Sequence, residues 1–488
     1  MTGRIAIVGA GVSGLAAAQR LRTLLGSAAE IVVLEQRDRV GGVLHTVDLA
    51  GVPFDVGAEA FLARRPEVPA LVAELGLTDR VVHPTGASPT IRAGGRTVGM
   101  PTGTLMGVPT ATSDLSAVLS PAARAEVAAE RTRPLTWRPG QDASLGAVLR
   151  DRLGDEVAER LVEPLLGGVY AGRVDSLGLR ATIPQLAKAL DRGAPSLTDA
   201  ATTAVTPAPP RESPAPAPRV PHNGPASSPE RAPESGGPRV AGPQAGPVFG
   251  ALTGGYGTLL DALVEAAKPE LRLGTTVREL ARTPGGWRVT LGPTTSPEHL
   301  DVDAVVLAVP APAAARLLAG TPAARPLGEI ELASSAVVAL AYDGIEGPET
   351  SGVLVAADEP LAIKAATHSS RKWAHVSPDG LLRLRVSMGR FGEATTLRVP
   401  DDELVARARR DLATLHGLTA HPVATHVQRW GGGLPQYAVG HDERVAAIEA
   451  ARQPGLEVVG AALHGVGVAA CVATARAAAE RIAGTLSA

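Results

Sequence analysis

Apolar residues recur along this chain in two rhythms, short unbroken runs and helical stripes, and their alternation predicts layered α/β structure. Ile5 to Val8 is a continuous apolar run of strand length, followed by the turn Gly9-Ala10-Gly11-Val12-Ser13-Gly14 and then by Leu15 to Leu21, rich in helix formers. Glu30 to Leu34 is a second such run and ends at Glu35. Buried parallel strands read as unbroken runs, so strand, turn, helix and strand in this order predict a βαβ unit. The three glycines of a G-x-G-x-x-G turn allow a tight bend, close approach of a pyrophosphate, and close packing of helix on strand. The helix N-terminus offers that pyrophosphate free N–H groups and the positive end of its dipole. Glu35 lies about 20 residues past the turn, where a carboxylate can bind a ribose hydroxyl. The pattern predicts a dinucleotide site.

Further on, Arg39-Val40-Gly41-Gly42 extends the fingerprint into R-x-G-G, and Val52 to Asp55 predicts a strand that turns at Gly57-Ala58-Glu59-Ala60. From about Pro66 to Arg192 helical spacing dominates: Val68 to Leu75 stopped by Gly76, Ala122 to Arg131, Ser144 to Leu153, and Asp155 to Leu166 with Asp155 as cap. The glycines of Gly167-Gly168-Val169-Tyr170-Ala171-Gly172 predict a break in the helices. Met100 to Gly107 reads as a loop that either packs or forms the lip of an apolar channel. From Thr206 to Pro247 there are 13 prolines and almost no large apolar residue. Such a stretch cannot bury enough surface to offset the entropy of ordering, so residues 194–248 read as a disordered or extended insertion.

Order resumes at Phe249. A helix over Thr258 to Ala267 and strands over Leu271 to Val277, Trp287 to Leu291 and Asp303 to Pro310 follow, and these strands return to the nucleotide unit. Residues 311–417 alternate strands such as Ala336 to Ala341 and Leu381 to Ser387 with a helix over Asp402 to Leu415, which reads as a second, substrate-facing domain. The chain closes with the strand Leu456 to Gly460, the turn His464 to Val468 and the helix Ala469 to Thr485, whose N-terminus offers another dipole to a ligand.

Composition narrows the classes. A chain of 488 residues has room for two to four domains, and 45% apolar with 20% charged content describes a globular protein. A net charge of −2 argues against nucleic acid. A single cysteine, Cys471, excludes a disulfide framework and a cysteine-rich metal site, and the histidines lack metal-ligand spacing. With no apolar run long enough to span a bilayer and no leader-like start, the expectation is a cytoplasmic protein without a transmembrane segment.

Several segments together carry a family resemblance: Gly9 to Leu15, Arg39 to Gly42, Phe54 to Phe61, Glu163 to Gly172 with its Gly-Val-Tyr-Ala-Gly, Gly254-Gly255-Tyr256, Ser369-Ser370-Arg371-Lys372-Trp373, Arg429-Trp430, Leu434-Pro435-Gln436-Tyr437 and the Cys471 turn. Outside the proline-rich stretch the chain resembles the flavin-dependent porphyrinogen oxidases of haem synthesis, particularly the coproporphyrinogen III oxidases of Gram-positive bacteria. The nucleotide motifs alone fit amine oxidases and carotene desaturases as well. Where the family usually has Asn, Asp and Gly in its closing motif, this chain has Ala461, Ala470 and Ala475, departures that bear on individual flavin hydrogen bonds and not on the fold.

The resemblance implies an α/β fold: a Rossmann-like FAD-binding domain of the amine oxidase/porphyrinogen oxidase type, a mixed α+β substrate domain and a helical domain. The parts would be FAD-binding 1–85, helical 86–193, the insertion 194–248, FAD-binding 249–310, substrate-binding 311–427 and FAD-binding 428–488. FAD would be held by Gly9, Ala10, Gly11, Val12, Ser13, Gly14, Leu15, Glu35, Gln36, Gly41, Gly42, Gly57, Ala58, Glu59, Ala60, Val277, Trp430, Val466, Gly467 and Val468. The implied reaction removes six electrons and six protons from coproporphyrinogen III in three steps, each passing a hydride to the flavin, which O2 reoxidises with release of peroxide. The protein supplies position and exclusion of side reactions, so no acid–base constellation is expected and no catalytic residue is assigned. Propionates call for cations at an apolar cleft. Arg64 and Arg65 are the first candidates, then Arg173, with Lys364 and Arg371 behind it and Tyr170 against the macrocycle. Alternatives are a protoporphyrinogen IX oxidase, a flavin amine oxidase, which wants an aromatic cage that only Trp430 and Tyr437 could supply, and a non-catalytic flavin or porphyrin carrier. Peripheral membrane contact and hand-over of product to a ferrochelatase stay open at this point.

Overall fold

The computed structural model describes residues 3–206 and 247–487. Three distant pieces of chain meet in one parallel five-stranded sheet, in the order Glu270–Arg272, Glu30–Leu34, Arg4–Val8, Ala304–Leu307, Leu456–Val458. The unbroken apolar runs explain its position: Ile5, Ala6, Ile7, Val32, Val33, Val305 and Val306 are fully buried, covered on both faces. One face carries the helices Val12–Leu25, Tyr256–Ala267 and Val468–Ser487. The other carries an antiparallel meander of Val277–Thr283, Gly286–Leu291 and Glu298–Val302.

A seven-stranded sheet forms the second layer system, in the order Ala424–Pro435, Leu332–Tyr342, Leu382–Met388, Ile363–Thr367, Gly352–Val355, Pro89–Ala93, Arg96–Gly99. The helix Asp401–His416 packs against Ile363, Ala366, Leu384 and Val386 on one face. On the opposite face Val337, Ala339 and Trp430 pack against the hairpin Thr46–Leu49 and Val52–Asp55. A helical layer built from Pro121–Glu130, Leu145–Leu153, Glu163–Tyr170 and Pro184–Asp191 closes a third apolar cluster.

Several boundaries differ from those expected. The stretch 194–248 begins with a helix, Leu197–Val205, whose Ser196 side chain caps the Asp199 amide and whose Leu197 and Thr198 amides bind the buried Glu130 carboxylate. A cap and an anchoring carboxylate outweigh the small-residue composition there. The rest of the expected insertion, 207–246, lies outside the described residues. The part expected to be helical, 86–193, also contributes the hairpin Pro89–Ala93 and Arg96–Gly99 to the seven-stranded sheet. Gln428 to Pro435, expected in the nucleotide part 428–488, pairs instead with Leu332–Tyr342 in that same sheet.

Gly167 and Gly168 do not break their helix, which runs to Tyr170 and ends at the left-handed Ala171. Nor is the helix from Asp155 continuous: Gly154 occupies its cap position, and a π turn over Ala158–Val162 interrupts it. The strand expected over Leu271 to Val277 stops at Arg272, because the chain turns at Gly274 and Val277 opens the meander.

Candidate active site

The glycine turn divides into positions that the protein itself requires to be glycine and positions that it leaves open. A Cβ on Gly14 would lie 2.0 Å from the Gly9 carbonyl oxygen, and one on Gly9 would lie 2.4 Å from the Ala308 carbonyl oxygen. Those two glycines let helix and returning strand close on the turn. Gly11 has an ordinary φ of −70°, and its Cβ would meet only the Gly42 Cα at 3.9 Å. Among the described residues no atom excludes a side chain there, so the space over Gly11 is a cradle open to a ligand backbone such as a pyrophosphate. At Gly467, in the last turn, a Cβ would meet nothing within 4 Å among the described residues.

Around this cradle the structure brings together most of the residues expected to hold FAD. Glu35 is buried, and its two oxygens accept the amides of Ala10 at 2.8 Å and Arg37 at 2.9 Å. A carboxylate has about four lone-pair sites, so acceptor capacity remains for ribose hydroxyls. The Gly41 amide donates to the Ala10 carbonyl, and Gly42 lies beside Gly11. The Thr275 amide donates to the Glu35 carbonyl, which carries Val277 toward Glu35 and Gln36. Ser13 borders Gly460, so the C-terminal return reaches the same helix N-terminus that Val12 and Leu15 belong to.

The turn Gly57 to Ala60 is held from the other layer. The Trp430 indole donates to the Val56 carbonyl at 3.0 Å, and Arg385 donates to the Gly57 carbonyl at 2.6 Å. The Glu59 side chain is itself engaged, by Lys372 at 2.5 Å and Arg385 at 3.3 Å. Burial alone would push its carboxyl up, but these two cations hold it down at about 2. Sequence reasoning misses Lys372 and Arg385 as supports of this turn; the basic residue in Ser-Ser-Arg-Lys-Trp is the only local signal. In the last turn, Tyr437 donates to the Ala461 carbonyl at 2.7 Å and accepts from the Gly465 amide at 2.8 Å, so it fixes the approach to Val466, Gly467 and Val468.

The cations chosen for carboxylates fall into two groups. Arg64 and Arg65 are in the loop before the helix Glu67–Glu74, and Arg65 pairs with Glu67 at 2.7 Å. Arg371 is half-buried in the short helix Ser369–Lys372. Arg173, Tyr170 and Lys364 come together elsewhere, at the helix Glu163–Tyr170 and the seven-stranded sheet. Tyr170 is buried with its ring 5.3 Å from that of Tyr437, and burial pushes its hydroxyl up to about 12. Arg173 pairs with Glu393 and lies 3.8 Å from Glu163. Lys364 is buried, and burial together with Arg390 pushes its ammonium down to about 8. Trp430 and Tyr437 do not form a pair: Trp430 faces His45 and Arg39, whereas Tyr437 stacks on His441.

The model of the family described as flavin containing amine oxidoreductase matches residues 12–483. The chain belongs to this family. A coproporphyrinogen III oxidase of Mycobacterium tuberculosis is 42% identical over 483 residues, 96% of this chain and 95% of that one. A coproporphyrinogen III oxidase of Bacillus subtilis is 29% identical over 492 residues, covering 97% and 96% of the two chains. A crystal structure from Exiguobacterium sp. 255-15, provisionally assigned as a protoporphyrinogen oxidase, superposes with a TM-score of 0.80 at 29% identity over 99% of both chains. As a member of the flavin amine oxidoreductase family the chain is an FAD-dependent oxidase of α/β fold, and the open cradle at Gly11 fits that cofactor. Among the described residues no helix is long and apolar enough to cross a membrane.

Proposed function

We propose that this oxidase converts coproporphyrinogen III to coproporphyrin III with O2 as acceptor and releases hydrogen peroxide, in the cytoplasm. The observation that carries the reading is the 42% identity to a named coproporphyrinogen III oxidase over nearly the full length of both chains. The cation set near Tyr170 supports it, since a substrate with four propionates needs guanidinium and ammonium partners. A single buried cysteine suits a reducing compartment.

When bound, FAD supplies the acceptance of electrons from the macrocycle and their delivery to O2. The chain's own residues bind and orient. Gly9 to Leu15, Glu35, Gln36, Gly41, Gly42 and Val277 hold the adenine and pyrophosphate portion. Gly57 to Ala60, Trp430 and Val466 to Val468 line the flavin side, where Glu59 acts through its ion pairs on the shape of its turn and its backbone alone faces the ligand. Arg64, Arg65, Arg173 and Lys364 receive propionates, and Tyr170 packs against the ring system. Product passes to a ferrochelatase-type acceptor, and the exposed Leu62 and Phe249 offer the apolar surface for a peripheral contact during that transfer.

The test compares coproporphyrinogen III and protoporphyrinogen IX, each prepared anaerobically, by porphyrin fluorescence and peroxide yield. Fluorescence rising faster with the tetra-acid, with peroxide formed in parallel, is the expected result. Turnover of an amine, with neither porphyrinogen consumed, would overturn the reading.

A further inference from the structure

Lys364 occupies an unusual place in its strand. In the pairing of Ile363–Thr367 with Leu382–Met388, Ile363 faces Met388 and Ala365 faces Ser387, so Lys364 is the extra residue of a β-bulge. Bulges re-aim a side chain, and this one is fixed: Asp411 accepts the amides of Ala362 at 2.7 Å and Ile363 at 3.0 Å. The side chain so aimed is 7% exposed, and among the described residues it makes no hydrogen bond and no ion pair. A buried ammonium without a partner is costly, and a fold normally removes it or meets it with an anion.

Among the described residues the one carboxylate whose charge reaches Lys364, Glu393, makes no ion pair with it and is held by Arg173. Arg390 follows the strand Leu382–Met388 in a loop tied to the end of the Tyr170 helix by the Phe391 amide, which donates to the Ala171 carbonyl at 2.7 Å. Its side chain is 14% exposed, and its nearest carboxylate, Glu163, stands off at 4.0 Å. Glu163 Oε1 has no hydrogen-bond partner, and burial pushes the Glu163 carboxyl toward its neutral form. Glu393 is already taken by Arg173. Three cations, Lys364, Arg390 and Arg173, thus share two carboxylates, one of which is poorly placed to ionise. The cluster is short by at least one negative charge.

We propose that Lys364 and Arg390 form a buried anion subsite that receives one carboxylate of the substrate, making Arg390 a specificity-determining residue beside Tyr170. The proposal rests on the porphyrinogen reading, which supplies a substrate bearing several carboxylates. The bulge fixes the ammonium, the Ala171 contact fixes the guanidinium, and a propionate entering between them completes the charge balance that the cluster lacks.

The test measures binding of coproporphyrin III and of its neutral tetraamide to the FAD-loaded protein by fluorescence. Lys364→Met and Arg390→Gln should each weaken the tetra-acid by about tenfold or more, the effect of losing one charge-assisted contact, and leave the tetraamide within about twofold. The visible flavin spectrum should stay unchanged, and the thermal midpoint of Lys364→Met should hold or rise, because an unpaired buried charge is gone. Lys364→Arg should keep acid binding. If Lys364→Met sheds its flavin, Arg390→Gln alone decides. Equal losses for acid and amide, or no loss for the acid, would overturn the subsite. Turnover of coproporphyrinogen III by the unmodified protein is followed alongside: its absence sinks the oxidase reading, whereas turnover with acid binding unmoved sinks the subsite only.

Discussion

Glu59 Oε1 lies 2.5 Å from the Lys372 ammonium, and Glu59 Oε2 lies 3.3 Å from the Arg385 guanidinium. One carboxylate on the turn expected beside the flavin is therefore tied to a helix and a strand of the other layer system. Since Arg385 also donates to the Gly57 carbonyl, the pair sets where that turn sits. The geometry of the turn depends on an interaction between parts of the chain more than 300 residues apart.

Replacing Glu59 by Gln leaves two cations facing an amide. The pair is partly buried, so breaking it on one side costs on the order of 2 kcal/mol, less than for a fully buried pair, and denaturant unfolding of Glu59→Gln should show a loss of that size. The pH dependence has a definite sign. Glu59 is held at about 2 in the fold against an ordinary 4.5, so the unfolded chain takes the proton first. Its contribution is complete above about pH 4.5 and is lost as pH falls toward 2. Glu59→Gln should flatten that acid limb and leave the slope at neutral pH unchanged. An unchanged acid limb would mean that the ion pair does not form in solution.

Two glycines three residues apart should fail differently. Gly14→Ala pushes a methyl to 2.0 Å from the Gly9 carbonyl, so the helix must move off the strand. It should lower the thermal midpoint of the apoprotein and abolish yellow colour together. Gly11→Ala meets only Gly42 at 3.9 Å and should leave the apoprotein's midpoint within about a degree while weakening FAD by an order of magnitude or more. A spectrophotometric flavin titration beside a melting curve separates the two; equal melting losses would place the Gly11 requirement in the protein and not in its ligand.

The βαβ unit is legible because its signals are local. Runs such as Ile5 to Val8, a spaced glycine turn and a following acid sit within about one supersecondary unit. The same locality explains the errors. Nothing near Pro89 to Gly99 announces that its partner strand is Gly352–Val355, and nothing near Leu197 announces the Glu130 carboxylate that anchors its helix. Trp430 lies beside the Gly57 turn, but its strand belongs to the other sheet, because pairing with Leu332–Tyr342 is decided by a surface that the local pattern does not display. The arginines show the same limit. Composition marks Arg173 as a cation, yet its carboxylate partner Glu393, 220 residues away in sequence, appears only in three dimensions.

Tyr437 bridges the last turn with a single hydroxyl, donating to Ala461 and accepting from Gly465. Tyr437→Phe keeps the ring between Tyr170 and His441 but leaves one carbonyl and one amide without their partner. An unmade buried hydrogen bond costs about 1–3 kcal/mol, so chemical unfolding should register a loss in that range. Because the turn leads directly into Val466 to Val468, flavin affinity should fall in the same variant. Retained affinity with lost stability would show that Tyr437 supports the fold and not the cofactor turn.

A pair of histidines remote from the cradle should make the fold sensitive to acid. His368 and His416 face each other with Nε2 atoms 3.0 Å apart, and His368 Nδ1 lies 2.8 Å from the Thr350 carbonyl oxygen. A carbonyl only accepts, so His368 carries its proton on Nδ1 and presents a lone pair at Nε2 to the His416 N–H. A further proton on His368 would set two N–H groups against each other. Burial, followed by the neighbouring His368, pushes His416 down to about 4, and burial lowers His368 too. With both folded values below the ordinary 6.5, the unfolded chain binds protons first. The stability tied to this pair is complete above about pH 6.5 and drains as pH falls toward 4. His416→Gln keeps an N–H donor for His368 and cannot titrate, so its thermal midpoint should fall less steeply than the parent's across that window. Parallel midpoint curves for the two proteins would show that the histidine pair carries none of the acid response.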